Sequence, residues 1–284
     1  MDNEATTIGP YTITDAYSAG CILEPVRYCH ATRIEDGDVR EVFLKIVHPG
    51  AGTTRTQEQA VALARRLESI RHPNLLALQS WQRCGDVVCV EFEPLRGVLL
   101  QRVFRRCVQA RREQHHLLRC EDALLIASDI CAALQHVAEA GLVHGQLAPL
   151  NIGLDMQGVT KIFDVGQSSG WSYFSPETIK GLVSGPPSDV FSVGTILWEL
   201  CAGQHLFMSD SDFETLENIR EARRRPLRTA RPDAPAQLEQ LCDRALRRDP
   251  ADRFANAGAM AAALADLIAQ VDASRTRLAT LARA

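Results

Sequence analysis

Polar side chains that could take part in chemistry are concentrated in one short stretch, HGQLAPLNIGL, which runs from His144 to Leu154. Its Gln146 carries a neutral amide, which has an acceptor oxygen but essentially no basicity near pH 7. Asn151 in the same stretch, and Asp164 in a later FDVG sequence, offer hard oxygen ligands of the kind that Mg²⁺ prefers. The stretch therefore raises the question of whether it acts on a substrate or only forms the frame of a site.

The composition is that of an ordinary soluble globular chain, with 46% apolar and 23% charged residues among 284. A net charge of −4 gives no reason to expect a nucleic-acid partner. The nine cysteines are scattered singly, so we expect neither a disulfide framework nor a zinc site, and we expect a reducing, cytoplasmic location. Asp129 and Asp266 interrupt the longest apolar runs, so we expect no membrane segment, and the N-terminus lacks the features of a signal peptide.

Hydrophobic periodicity predicts a strand-rich first third followed by helices, which indicates an α+β protein with two lobes. Arg40–Val47 and Asp86–Phe92 are β-branched runs typical of strands, and Thr56–Ile70 has the apolar spacing of a helix that ends before Pro73. The later predicted helices are Glu121–Glu139, Ser188–Ala202, Gln237–Leu246 and Ala255–Val271.

Two basic stretches, Gln101–Arg119 and Arg220–Arg231, are either solvated helix faces and loops or a surface for an anionic partner. We expect the tail Asp272–Ala284 to continue the last helix, with Leu278 and Leu281 either packed or available to a partner.

Seven short sequences, in order, resemble the eukaryotic-type protein kinase family in its bacterial Ser/Thr style. They are VFLK ending at Lys45, RHPNLLAL, HGQLAPLN, FDVG, SPE (Ser175–Glu177), SDVFSVGTILWELCAGQHLF and RRDPADRF. The resemblance implies a bilobal kinase-like fold, with a small β-rich N-lobe that has one main helix and a larger helical C-lobe. We divide the chain into an N-terminal tail (1–10), an N-lobe (11–94), a C-lobe (95–271) and a C-terminal helical extension or tail (272–284).

The resemblance identifies three remnants of a nucleotide site. Lys45 matches the phosphate-pairing lysine, and Asn151 and Asp164 match the metal ligands, which would hold Mg²⁺ if it binds. The alternative for the last two is structural, with Asn151 capping its loop and Asp164 accepting local amide hydrogen bonds. The acidic helix partner of Lys45 is missing, because Leu63 stands where the family has a glutamate.

Other parts of the family's machinery are replaced. Gln146 stands at the position of the catalytic aspartate, Gly145 replaces the preceding arginine and Ala148 replaces a phosphate-contacting lysine. The tract Asp15–Val26 has lost most of the glycines that let backbone amides approach phosphates. Only Gln167–Phe174 separates DVG from SPE, so the activation segment is short.

Four further residues are expected to have structural roles by resemblance. His144 should pack beneath the loop, Asp189 belongs to the central helix motif, and Glu177 and Arg253 should form an ion pair.

A paired exchange affects the adenine slot of the family. The small roof residue is replaced by Phe43 and the larger floor residue by Gly153. Because either change alone would disturb packing, we expect the Phe43 ring to fill the space of adenine. The alternative is that the ring turns toward neighbouring strands and leaves a pocket.

These substitutions favour a catalytically inactive kinase-like domain, a pseudokinase, that binds a protein partner or regulates it allosterically. We expect no nucleic-acid partner and no cofactor, with low-affinity binding of ATP and magnesium as the alternative. One alternative function is a weakly active or atypical ATP-dependent Ser/Thr kinase, or another nucleotidyl or phosphoryl transferase. A nucleotide-responsive scaffold is the other alternative.

Overall fold

A computed structural model describes residues 6–17, 26–35, 37–48, 53–166 and 171–283. The chain divides into two compact units: the first runs to His72 and resumes over Leu76–Arg96, and the second comprises Pro73–Leu75 and the chain from Gly97 onward. Residues 18–25 of the predicted glycine tract Asp15–Val26 and residues 167–170 of the predicted activation segment Gln167–Phe174 lie outside the described residues.

The first unit contains a six-stranded antiparallel sheet with the order β1-β2-β3-β4-β6-β5. Its strands are β1 (Thr7–Ile8), β2 (Tyr11–Tyr17), β3 (Val26–Glu35), β4 (Asp38–Val47), β5 (Leu78–Cys84) and β6 (Val87–Phe92). The two strands predicted from β-branched runs correspond to β4 and β6, which pair directly. Each begins within two residues of its predicted start, and both end at the predicted residue.

Side chains of β4 alternate between the two faces of this sheet. Val42, Leu44 and Ile46 contribute to a buried apolar cluster that also contains Tyr11 and Cys29 from the neighbouring strands. By the same alternation, the odd-numbered residues of β4, among them Lys45, lie on the opposite face.

One helix, α1 (Thr53–Leu67), lies between β4 and β5 in the sequence. It ends three residues earlier than predicted, because the Ile70 amide donates to the Leu67 carbonyl and tightens the chain into a turn. Arg65 and Arg66 occupy the last turn, where cations are favoured by the helix dipole.

The second unit is mainly helical and contains a small antiparallel sheet with the order β7-β8-β9. Its strands are β7 (Gly97–Leu99), β8 (Ile152–Asp155) and β9 (Thr160–Ile162). Its helices are α2 (Leu100–Arg112), α3 (Cys120–Glu139), α4 (Pro176–Ile179), α5 (Pro186–Ala202), α6 (Asp212–Arg220), α7 (Leu227–Ala230), α8 (Ala236–Ala245), α9 (Ala257–Ile268) and α10 (Arg275–Arg283).

Helix α5 forms the centre of the second unit and packs against α3 and α8. From Ser188 to Ala202 every residue is buried, as expected from its nearly continuous apolar sequence. Pro186 begins the helix, and Gly203 ends it with φ +63°, a left-handed conformation that glycine adopts without steric cost. The predicted helix 188–202 is therefore present, with two additional residues at its N-terminus.

The C-terminal tail differs from the expectation, since it forms the separate helix α10 instead of continuing α9. Two ion pairs fasten it to α3, one joining Arg275 to Asp129 and one joining Arg277 to Asp122, each with an N–O distance of 2.7 Å. Leu278 is fully buried within the unit, so it is a packing residue.

Within the described ranges, no helix combines the length and the apolar character needed to cross a bilayer.

Candidate functional site

The loop that follows Leu142 is held to helix α5 by one carboxylate. Asp189 accepts hydrogen bonds from the backbone amides of His144 (3.0 Å) and Gly145 (2.7 Å). Burial raises the pKa of Asp189 to about 7, although these two amide hydrogen bonds act in the opposite direction. The carboxylate therefore fixes the backbone of the loop without needing any side chain of the loop.

His144 joins the loop to the FDVG segment. Its ring is fully buried, and Nε2 lies 3.1 Å from the carbonyl oxygen of Phe163. The Gly166 amide donates in return to the His144 carbonyl at 2.8 Å. The His144 side chain is thus buried against the FDVG segment, and its family role beneath the loop stays a prediction.

Asn151 organises the loop from its other end, in a single 3₁₀ turn over Pro149–Asn151. Its side-chain oxygen accepts from the Ala148 amide at 2.8 Å, and its Nδ2 donates to the Gln146 carbonyl at 3.0 Å. The Asn151 carbonyl accepts from the amide of Phe163. These are the capping bonds of the structural alternative, and they leave the role of Asn151 as a metal ligand a prediction.

Asp164 has an unusual backbone, with φ +64°, and its side chain is buried. Aspartate is among the few non-glycine residues that populate this left-handed region. Gly166, two residues later, also has a positive φ, of +77°. The FDVG segment therefore makes a sharp turn directly after β9, which presents Asp164 at the end of a strand.

No cluster of three or more His, Cys, Asp or Glu side chains suited to a metal lies in the part of the chain that the structure describes. A metal held here would have to rely on Asn151 and Asp164 together with phosphate or water oxygens, which is how Mg²⁺ is commonly bound. The residue types fit such a role, and it remains untested.

Glu177 and Arg253 form a buried, two-pronged ion pair, the pairing that the resemblance implied. Arg253 donates to both carboxylate oxygens, at 2.8 and 2.7 Å, and Ser188 donates to Glu177 Oε1 at 2.7 Å. Burial alone would raise the pKa of Glu177, but the hydrogen bonds from Arg253 and Ser188 lower it to about 2. Arg253 further donates to the Pro187 carbonyl and so connects α4 to the start of α5.

In the first unit, Lys45 lies on β4 and is only 1% exposed. Its backbone is paired with Tyr28 on β3 and Val90 on β6, so the strand position inferred from VFLK is present. In helix α1, Leu63 is partly buried and Glu58 is exposed.

Phe43 precedes Lys45 by two residues and packs against aromatic side chains of β3. Its ring is parallel to that of Tyr28, with centroids 6.1 Å apart, and edge-on to His30 at 5.4 Å. Gly153 lies on β8 in the second unit, where it pairs with Leu99 and Lys161. Phe43 therefore packs on β3 through two aromatic contacts, and occlusion of the adenine slot stays a prediction.

Sequence reasoning missed several polar residues that organise the two units. Gln57 of α1 is buried and donates to the carbonyls of Val47 and Asp86. Asp122 and Asp129 of α3 receive the arginines of α10. An aspartate interrupting an otherwise apolar helix was visible in the sequence, and it could have been read as the buried partner of a distant arginine.

Comparisons with known proteins agree with this geometry. The model of the family described as "Protein kinase domain" matches residues 28–265. The chain is 25% identical to the serine/threonine-protein kinase PrkC of Bacillus subtilis, over 75% of this chain and 33% of that protein. It is 25% identical to the tyrosine-protein kinase MasK of Myxococcus xanthus, over 92% of this chain and 43% of that protein.

A third relative, the serine/threonine-protein kinase PksC of Streptomyces coelicolor, is 32% identical over 60% of this chain and 32% of that protein. The chain therefore spans well under half the length of these three relatives. The family match itself covers most of the chain, including both units. On this evidence, the chain belongs to the protein kinase domain family.

Proposed function

We propose that this protein kinase domain is a pseudokinase, which acts through binding or allosteric regulation of a protein partner and not through phosphate transfer. The observation that carries the proposal is Gln146, a residue without basicity, in a loop whose backbone is fully held by Asp189 and Asn151. The frame of the loop is intact while the group that would accept the substrate proton is replaced.

The effect of lacking a general base can be expressed as a decrease in reaction rate. Removing general-base assistance slows a reaction by about 10²–10⁴-fold. Gly145 and Ala148 remove two further cationic side chains that the family uses near phosphate groups. Since phosphoryl transfer depends on positioning and charge stabilisation, these losses act in the same direction.

The nucleotide-holding residues are Lys45, Asn151 and Asp164. All three are buried, and Asn151 already uses its amide group for the loop backbone. In the proposed state, Phe43 fills the adenine space that the family leaves above the residue at the position of Gly153. The exchange of a small for a large residue at one position and the reverse at the other supports this proposal.

Calorimetry with ATP and Mg²⁺ tests the occlusion. The wild-type chain should give no binding heat at micromolar concentrations. The double variant Phe43→Ala with Gly153→Leu restores the family's residue sizes and should gain measurable binding. A matched control, Ile46→Val on the opposite face of β4, changes the apolar packing away from Phe43 and should not gain binding. Micromolar binding by the wild type would show that the slot is open.

A radiolabelled-phosphate transfer assay tests inactivity. We expect no incorporation above a blank, and the same result for Lys45→Ala. Incorporation that Lys45→Ala abolishes would support the alternative of a weakly active or atypical transferase, for which the retention of Lys45, Asn151 and Asp164 is the supporting observation. Thermal stabilisation by nucleotide without transfer would support a nucleotide-responsive scaffold.

The proposed location is a reducing, cytoplasmic compartment. Eight of the nine cysteines are within the described residues, all eight are free thiols, and all but Cys84 are buried. Buried thiols kept apart from disulfides suit a reducing environment, where structural disulfides are rare. A protein partner is proposed in preference to a nucleic acid because the net charge is −4.

A further inference from the structure

A cavity of about 470 Å³ lies within the second unit, beside the C-terminal half of α5 and the loop that follows it. Its volume falls in the range of pockets that hold small ligands or peptide side chains. Its walls include Trp198, His205, Asn218, Arg223, Arg224 and Arg225. Three of these residues belong to the basic stretch 220–231, whose role the sequence left open between a solvated surface and an anionic partner.

Trp198, which lines the cavity, carries a buried donor. The residue is 2% exposed, and its indole nitrogen Nε1 has no hydrogen-bond partner among the described residues. An indole N–H can only donate, and a buried donor without an acceptor is rare in native structures because it loses its bond to water. An acceptor atom supplied by a ligand would remove this deficit.

The three arginine side chains differ in whether another residue binds their guanidinium groups. Arg224 is engaged, since Nη2 lies 3.0 Å from Asp243 Oδ1 and Nη1 donates to the Leu246 carbonyl. The side chains of Arg223 and Arg225 make no hydrogen bond or ion pair with any residue in the described ranges. No carboxylate lines this cavity. Two exposed arginine side chains without a protein partner among the described residues and one buried donor thus belong to residues that line a cavity with no anionic side chain of its own.

A second cavity, of about 480 Å³, adjoins the first and shares Ser209, Asn218 and Arg223 with it. Its wall adds Phe213, an aromatic residue that is 73% exposed. It also adds Glu214 and Glu217, which are engaged with Ser209 and with Arg220 respectively. The two cavities together are longer than a free inorganic anion needs, and they combine arginine side chains at one end with an exposed aromatic side chain at the other.

We propose that these adjoining cavities bind an acidic peptide segment of a protein partner. Its carboxylates pair with Arg223 and Arg225 and accept the Trp198 indole N–H, while an adjacent apolar side chain packs on Phe213. Arginine suits this role because its planar guanidinium donates to carboxylates in pairs. All the residues belong to the second unit, so the proposal holds whether or not the Gln146 loop transfers phosphate.

The indole signal of Trp198 gives a direct test. The chain has three tryptophans, so ¹⁵N-indole labelling yields three N–H signals, which Trp81→Phe and Trp171→Phe assign by elimination. The probe is the capped peptide acetyl-Asp-Glu-Leu-amide, and its matched control is acetyl-Asn-Gln-Leu-amide. The acidic peptide should shift the Trp198 signal in a saturable manner, and the neutral peptide should not.

Two double substitutions then test whether Arg223 and Arg225 supply the positive charge that binds the peptide. Arg223→Gln with Arg225→Gln should weaken acidic-peptide binding by roughly tenfold or more. The control, Arg228→Gln with Arg247→Gln, makes the same change in net charge at exposed arginines outside both cavities and should leave affinity within about twofold.

Three results would overturn the proposal: no shift at millimolar acidic peptide, equal binding of the neutral peptide, or equal losses in the two double variants. Inorganic phosphate that binds as tightly as the peptide and displaces it would also overturn it, because the site would then be one for a free anion.

Discussion

The loop His144–Asn151 and the ion pair Glu177–Arg253 lie in the same unit, yet they retain different parts of what the kinase family places there. The loop has the neutral or small residues Gly145, Gln146 and Ala148 where the family resemblance implies charged ones, while the ion pair keeps both charges, buried and doubly hydrogen-bonded. The loop does not lose its shape as a result, because Asp189 and Asn151 hold its backbone atoms. Fold and chemistry therefore depend on different side chains, and one can change without the other.

The comparison predicts its largest effect at Arg253. Arg253→Ala leaves the buried Glu177 carboxylate without its charge partner and removes donors to three backbone carbonyls, including those of Arg247 and Pro187. Breaking a buried pair from one side costs about 3–5 kcal/mol of stability. Urea denaturation should show this loss. The control Arg220→Ala breaks exposed pairs and should cost at most about 1 kcal/mol. If Arg253→Ala cost no more stability than Arg220→Ala, the ion pair would not be a main source of the stability of this unit.

Acidic pH should weaken the stabilisation that the Glu177–Arg253 ion pair provides. The pKa of Glu177 is about 2 in the folded protein and 4.5 without the fold, so its contribution is fully present above about pH 4.5 and is lost as the pH falls through about 2. The shift corresponds to about 3 kcal/mol. Denaturant titrations between pH 5 and 2 measure it. Glu177→Gln should lose this part of the acid dependence, and an unchanged slope in that variant would contradict the assignment.

A smaller effect is expected at Asp189, where the loop and the central helix meet. Asp189→Asn keeps one acceptor oxygen but turns an NH₂ group toward the second loop amide, so one of the two hydrogen bonds is lost. An unsatisfied buried donor costs about 1–3 kcal/mol. Chemical denaturation measures the cost, and Asp266→Asn on the exposed side of α9 is the control. A neutral result would mean that the loop backbone is held without Asp189.

The smallest effect is expected within the loop itself, at Gly145. Its φ of +73° is unfavourable for side-chain-bearing residues, although an added Cβ would lie 3.8 Å from the Ser184 Cβ, an ordinary van der Waals contact. Gly145→Ala should therefore cost about 1 kcal/mol, from backbone conformation alone. Gly181→Ala, at φ +74° and with no atom within 4 Å of an added Cβ, is the matched comparison and should cost the same. Thermal unfolding of both variants measures the two costs, and a cost near zero at both positions would remove the conformational argument.

Much of the fold could be predicted from the sequence, because its signals are local. The long apolar run of α5, the amphipathic α3 and the β-branched runs of β4 and β6 each form the predicted element with ends shifted by a few residues. The observed ends differ from the predicted ones where a local hydrogen bond ends the element, as at the end of α1, where the Ile70 amide donates to the Leu67 carbonyl.

The candidate site could be predicted only in part. The family resemblance pointed to Gln146, Asn151 and Asp164, whose roles stay predictions, and residue type alone shows that Gln146 has no basic side chain. They could not show that both polar atoms of the Asn151 side chain are already bonded to the loop backbone, since those partners are main-chain atoms that any sequence carries.

What the sequence by itself determined is the family, the order of the elements and the neutral side chain of Gln146, because these follow from short motifs, residue type and local spacing. Only the tertiary structure decided that the tail folds back as α10, that Asp122 and Asp129 receive its arginines, and that Arg223 and Arg225 share a cavity with Trp198. Such contacts join residues far apart along the chain. Their free energy depends on burial and on the distance between charges, and no local pattern of residues contains either quantity.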